Sequence, residues 1–122
     1  MQYTVQVMNS GLGVVDNNTT VITDAIPAHT VMCVSNSCSN PPVALTSCSA
    51  TPPCGLTLTY GTDVTFSNQV GGGAPYSYTP SPDGSGFDNS VTGVRINPQG
   101  ILNAASGGNN ASFSLTFKVK IK

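Results

Sequence analysis

Residues 1–27, MQYTVQVMNSGLGVVDNNTTVITDAIP, decide the fold class. Tyr3, Val5 and Val7 alternate with Gln2, Thr4 and Gln6, the period of a strand with one buried face. Asn9-Ser10-Gly11 stops that strand with residues that tolerate turn dihedrals. A second β-rich run, Thr19 to Thr23, is closed by Asp24-Ala25-Ile26-Pro27, because proline cannot donate to a ladder. The unit reads strand, loop, strand and proline-terminated exit. A chain that begins inside a strand leaves no room for a leader, which makes Met1 an introduced start or a product of processing.

The far end of the chain has the same grammar in purer form. Phe113, Leu115, Phe117, Val119 and Ile121 alternate with Ser114, Thr116, Lys118, Lys120 and Lys122. Between the two ends, His29 to Ser35 is apolar on both faces (Val31 and Cys33; Met32 and Val34), which suits a strand between two layers or beneath an insert. Val43 to Thr46 forms a short strand, and Leu56 to Tyr60 with Val64 to Ser67 reads as a hairpin around Gly61-Thr62-Asp63. Gly71-Gly72-Gly73 reads as a flexible, exposed tip. Tyr76 to Thr79 and Val91 to Asn97 complete the set, and no stretch carries a helical period. About eight short strands with turn signals between them predict an all-β chain, an antiparallel two-sheet sandwich of immunoglobulin-like type. It forms one domain over residues 1–122, with Tyr3, Phe66, Phe113 and Phe117 as the large core residues.

These segments also carry a resemblance. YTVQVMNSG followed by VVDNNTTVITDAIPAHT resembles a prokaryotic surface-protein repeat, the conserved repeat domain known as domain of unknown function eleven. There a "YTI.V.N.G" strand precedes a "V.(I/V)TD.IP..T" segment. The likeness resumes in VTFSN, in YSYTPSPDGSGFDNSVTGVRINPQGIL and in FSLTFKVKI. It departs from the family between Cys33 and Cys54, where a cysteine-bearing insert replaces a short apolar strand and loop. The resemblance implies an extracellular, cell-surface location and neighbours that are further repeats of a surface protein.

Charged residues make up 7% of the chain and the net charge is −1, against about 25% in an ordinary domain. Nothing in that balance attracts nucleic acid or an anionic membrane surface. No apolar run approaches the roughly 20 residues needed to span a bilayer, so no membrane insertion is expected. The polar surface is Ser, Thr and Asn, a composition suited to packing against copies of itself. Asn17, Asn18 and Asn110 fall in Asn-x-Ser/Thr sequons, a pattern that polar loops also produce by chance.

The four cysteines, Cys33, Cys38, Cys48 and Cys54, cluster within one segment. Their spacing lacks the paired Cys-x2-Cys knuckles of a zinc site and favours disulfides in an oxidising compartment. Two connectivities compete: local loops (Cys33–Cys38 and Cys48–Cys54) and a nested ladder (Cys33–Cys54 and Cys38–Cys48).

Catalysis needs an acid, a base or a nucleophile brought together, and this chain has one histidine, no glutamate and five aspartates. His29 has no identifiable triad partner. The expectation is a non-enzyme with no cofactor. Asp83, Ser85 and Asp88 place oxygen atoms along a glycine-bent loop, as calcium favours, but aspartate and glycine are equally at home in Asx-turns, and the turn reading leads. Arg95, the sole arginine, sits mid-strand, where a lone charge is costly unless paired, and Asp24 is the expected partner.

Two functions follow as expectations. The first is a building block of a surface layer or filament, self-associating as a homopolymer. There the C-terminal strand, Phe113, Leu115, Phe117, Val119 and Ile121, could complete a neighbour's sheet, although its lysines discourage edge pairing. The second is an adhesin or carbohydrate-binding module with Tyr60, Tyr76 and Tyr78 as stacking platforms. Alternation puts Tyr76 and Tyr78 on one face, so the second reading depends on that face lying outside the core.

Overall fold

The computed structural model describes residues 1–122 as an all-β, antiparallel protein. Its strands are β1 (Gln2–Asn9), β2 (Ile22–Ala25), β3 (Thr30–Cys33), β4 (Val43–Thr46), β5 (Leu56–Thr57), β6 (Val64–Ser67), β7 (Phe87–Asp88), β8 (Gly93–Ile96), β9 (Gln99–Gly100) and β10 (Ala111–Ile121). One helical turn, α1 (Tyr60–Asp63), precedes β6. A five-stranded sheet runs β1-β10-β3-β7, with β4 also on β10; a three-stranded sheet runs β2-β8-β6; β5 and β9 form a small ribbon.

The long C-terminal strand is the axis of the larger sheet. Along one flank of β10 lies β1, from Gln2 opposite Lys118 to Asn9 opposite Ala111. Along the other flank lie β4, with Val43 opposite Phe117, and then β3, with Met32 opposite Val119. The strand pattern explains why β10 is central. Phe113, Leu115, Phe117 and Val119 are all buried, and Tyr3, Val5 and Val7 of β1 pack against the same core. Tyr3 stacks on Phe117, centroids 5.4 Å apart. Val64, Phe66, Val94 and Ile96 of the second sheet join that single cluster. Of the expected large core residues, the three phenylalanines are buried and Tyr3 is half-buried.

The two-sided apolar reading of residues 31–34 holds, since Val31, Met32, Cys33 and Val34 are all buried. Both disulfides are local, Cys33–Cys38 and Cys48–Cys54.

Four local expectations change. The second strand begins at Ile22, not Thr19. Asn18 takes a left-handed φ of 60°, and it pins the preceding loop to β9: its N–H donates to Gly100 O, and its Oδ1 accepts from Gly100 N. Leu56–Tyr60 and Val64–Ser67 do not form a hairpin. β5 pairs with β9 and β6 with β8, and Asp63 folds the intervening residues into α1 by accepting a bond from Thr59 N at 2.7 Å. Tyr76–Thr79 contributes only a bridge, Tyr78 to Phe66, where Pro75, Pro80 and Pro82 remove ladder donors. The glycine tip is also less free than expected. Gly72 is buried at φ 73°, and a Cβ there would overlap Thr92 O.

Candidate functional site: an aromatic cleft and an open sheet edge

Tyr60, Tyr76 and Tyr78 line one cleft of about 430 Å³, with Val34, Val64 and Phe66 among its apolar walls and Ser77 and Thr79 among its polar ones. The fold brings them together from two segments. α1 presents Tyr60, whose hydroxyl donates to Val34 O at 2.7 Å and whose ring meets Phe66 edge-on, centroids 6.2 Å apart. The bridge to β6, with Tyr78 N donating to Phe66 O at 3.0 Å, lays residues 76–80 beside that strand. Tyr78 then donates its hydroxyl to Asp88 Oδ2 at 3.0 Å.

Asp88 is the buried post of this arrangement, 4% exposed. Its Oδ2 also accepts from Ser81 N at 2.6 Å and its Oδ1 from Ser90 N at 2.8 Å. A buried carboxylate is tolerable only when so satisfied. Two of the three phenols are thus tied back into the protein, which fixes their rings. All three rings remain half-exposed: Tyr60 and Tyr78 pack with one side against the core cluster, and the rest of each ring faces the cleft.

Burial pushes the Tyr60 phenol up from 10.0 to about 12. The unfolded chain releases this proton near the ordinary value while the folded chain retains it. The contribution of Tyr60 to stability is therefore fully present below pH 10.0 and is lost as pH rises towards about 12. A spectrophotometric titration should show a phenolate step near 12 that disappears in Tyr60→Phe. A wild-type curve unchanged by that substitution would refute the burial of Tyr60.

The second feature is an edge. In an antiparallel ladder each residue directs its N–H and C=O to the same side, and successive residues alternate. Met1 and Val119 exchange both bonds, at 2.9 and 3.0 Å. The odd residues of β1 therefore bond to β10, and Gln2, Thr4, Gln6 and Met8 point theirs away from it. No other backbone bond in the chain takes up those groups. Their side chains are exposed, while Tyr3, Val5 and Val7 are only half-buried. β1 holds no charged residue, proline or glycine, the devices by which edges are usually blunted.

The remaining expected sites resolve as follows. Asp83 Oδ1 accepts from Ser85 N and Phe87 N, at 2.8 and 3.0 Å, and Oδ2 meets Lys120 Nζ at 3.3 Å. The backbone N–H groups of Phe87 and Ser85, with Lys120, hold the Asp83 carboxyl below the usual carboxylate range. Ser85 and Asp88 belong to the same turn system, and no group of three or more His, Cys, Asp or Glu side chains converges in a metal-binding arrangement. The Asp24–Arg95 pair does not form. Arg95 stands opposite Thr23 and Asp24 opposite Val94, so alternation sends the two side chains to opposite faces of the sheet. The chain's one ion pair is Lys120–Asp83. The expected donor strand, Phe113 to Ile121, has both flanks occupied within the chain, by β1 on one side and by β3 and β4 on the other; of its apolar row only Ile121 is exposed.

Sequence reasoning identified the tyrosines but missed Asp88 as their anchor and β1 as the open edge. The Asp88 signal lies in Tyr78 and Asp88 flanking a proline-rich bend; the β1 signal is a strand without charge.

Comparison of the chain with family models, curated proteins and solved structures returns no match. No helix is long and apolar enough to cross a membrane.

Proposed function

We propose that this chain is a non-catalytic building block of a prokaryotic cell-surface layer or filament, an immunoglobulin-like two-sheet sandwich that works through contacts between subunits. The observation that carries this reading is the outer edge of β1: uncharged, long and unpaired within the chain. Such an edge is a template for another strand. Two local disulfides fit an oxidising, extracellular setting, and the resemblance to surface-protein repeats points the same way. Electron microscopy of the purified chain, with light scattering across concentration, tests it. Ordered assemblies or discrete oligomers are expected; monodisperse monomers at high concentration would remove the reading.

A second function, carbohydrate recognition, is favoured by the cleft with its three tyrosines. Fixed aromatic rings with polar neighbours suit a sugar, which offers an apolar face and hydroxyl edges. Tyr76, whose hydroxyl has no partner in the chain, is the side chain to remove. On a glycan screen followed by calorimetry, Tyr76→Ala should weaken binding about tenfold or more. Equal binding by both proteins would refute the cleft as a sugar site.

A further inference from the structure

We infer that β1 pairs antiparallel with β1 of a second copy, across a two-fold axis at Val5. This deepens the building-block reading and rests on it. The register follows from which groups are free. Only the even residues of β1 have backbone donors and acceptors to offer, so only even residues can form the hydrogen-bonded pairs of a new ladder. Among the registers that satisfy this, one uses the whole strand. It sets Thr4 against the partner's Gln6 and Gln2 against the partner's Met8, with about eight new backbone hydrogen bonds.

The side chains agree with that register. Its non-hydrogen-bonded positions set Val5 against the partner's Val5 and Tyr3 against the partner's Val7. Side chains approach more closely at such positions, and aromatic–β-branched pairs stabilise sheets. These are the residues that β10 leaves half-exposed, so the pairing would extend the apolar layer across the junction. On the opposite face, glutamine and threonine meet neutral side chains.

The occupant is a second copy because the strand complements itself. From Gln2 to Val7 it alternates neutral polar with apolar residues, and over its whole length it has no charged side chain with which to select a partner of opposite sign. A net charge of −1 opposes the approach of two copies only weakly. The isologous geometry closes at two subunits and joins their larger sheets into one.

The test is a pair of charge variants measured by sedimentation over a concentration series, with thermal melts to confirm folding. In T4K/Q6K each lysine faces a lysine of the partner; in T4K/Q6E each lysine faces a glutamate. All the altered side chains are exposed and point away from the core. The wild type should dimerise. T4K/Q6K should weaken the dimer by at least about tenfold, and T4K/Q6E should restore it. Equal behaviour of the two variants overturns the register. Assemblies that persist in T4K/Q6K, seen by electron microscopy, overturn β1 pairing while leaving the building-block reading intact. A wild type that stays monomeric and shows no assemblies overturns both.

Discussion

Phe113→Ala should destabilise the protein by about 3–5 kcal/mol, a large part of the roughly 5–15 kcal/mol that holds a domain together. Phe113 is fully buried near the start of β10, opposite Val7 of β1. The strand is hydrogen-bonded on both flanks, so the backbone cannot close around the missing ring without breaking a ladder. A cavity should remain, and cavities at sites that cannot collapse cost the most. Ile121→Ala is the internal control. It removes an apolar side chain from the same alternating row, but at a position 69% exposed, and should change stability by no more than about 0.5 kcal/mol. Denaturant titrations of both variants decide the matter. Similar midpoints for the two would mean that β10 is not the axis of the core.

Reducing both disulfides should cost about 4 kcal/mol, roughly 2 for each bridge, on the chain-entropy estimate for short loops. The separations are 5 and 6 residues, which places each bridge at the low end of the usual range. Their positions make the loss structural as well as entropic. Cys33 and Cys54 are both fully buried. Cys33–Cys38 closes the excursion between β3 and β4. Cys48–Cys54 closes the bend after β4, where Ser49 N donates to Ser112 O, and Ser112 N donates to Ser49 Oγ. Double Cys→Ala variants of each bridge, unfolded beside the oxidised protein, separate the two contributions. A reduced protein that unfolds at the same denaturant concentration would refute a stabilising role.

How much of this could be read from residues alone follows from what alternation encodes. A period of two says which side chains share a face, and it identified β1, β10, β4 and β6 closely. It does not say which strand lies alongside. LTLTY and VTFS alternate as hairpin arms would, yet β5 finds β9 and β6 finds β8, because Asp63 turns the intervening chain helically. The same limit sank the Asp24–Arg95 pair, whose failure is a matter of cross-strand register. The two cysteine connectivities were equally open in sequence; the fold closes the local loops. For the cleft, the spacing of Tyr76 and Tyr78 placed both rings on one face, but whether that face was core depended on residues far along the chain. The open edge was hidden for a related reason: pattern describes a strand's faces and is silent about its flanks.

The route from β3 to β4 has a practical meaning. Met32 stands opposite Val119 and Val43 opposite Phe117, so the chain leaves one flank of β10 and returns to it almost where it left. Residues 33–42 intervene on that side, while Lys118 alone does on the other. The ends of that segment are fixed, Cys33 by its pairing with Phe87 and its bridge to Cys38, Val34 and Pro42 by burial, but its crest can change in content without shifting either ladder, because neither register is measured through it. Asn36, Ser37 and Asn40 are exposed at its crest. The protein thus contains a ready-made cassette, a position where a foreign peptide could be grafted for display while the rest of the scaffold stays in frame.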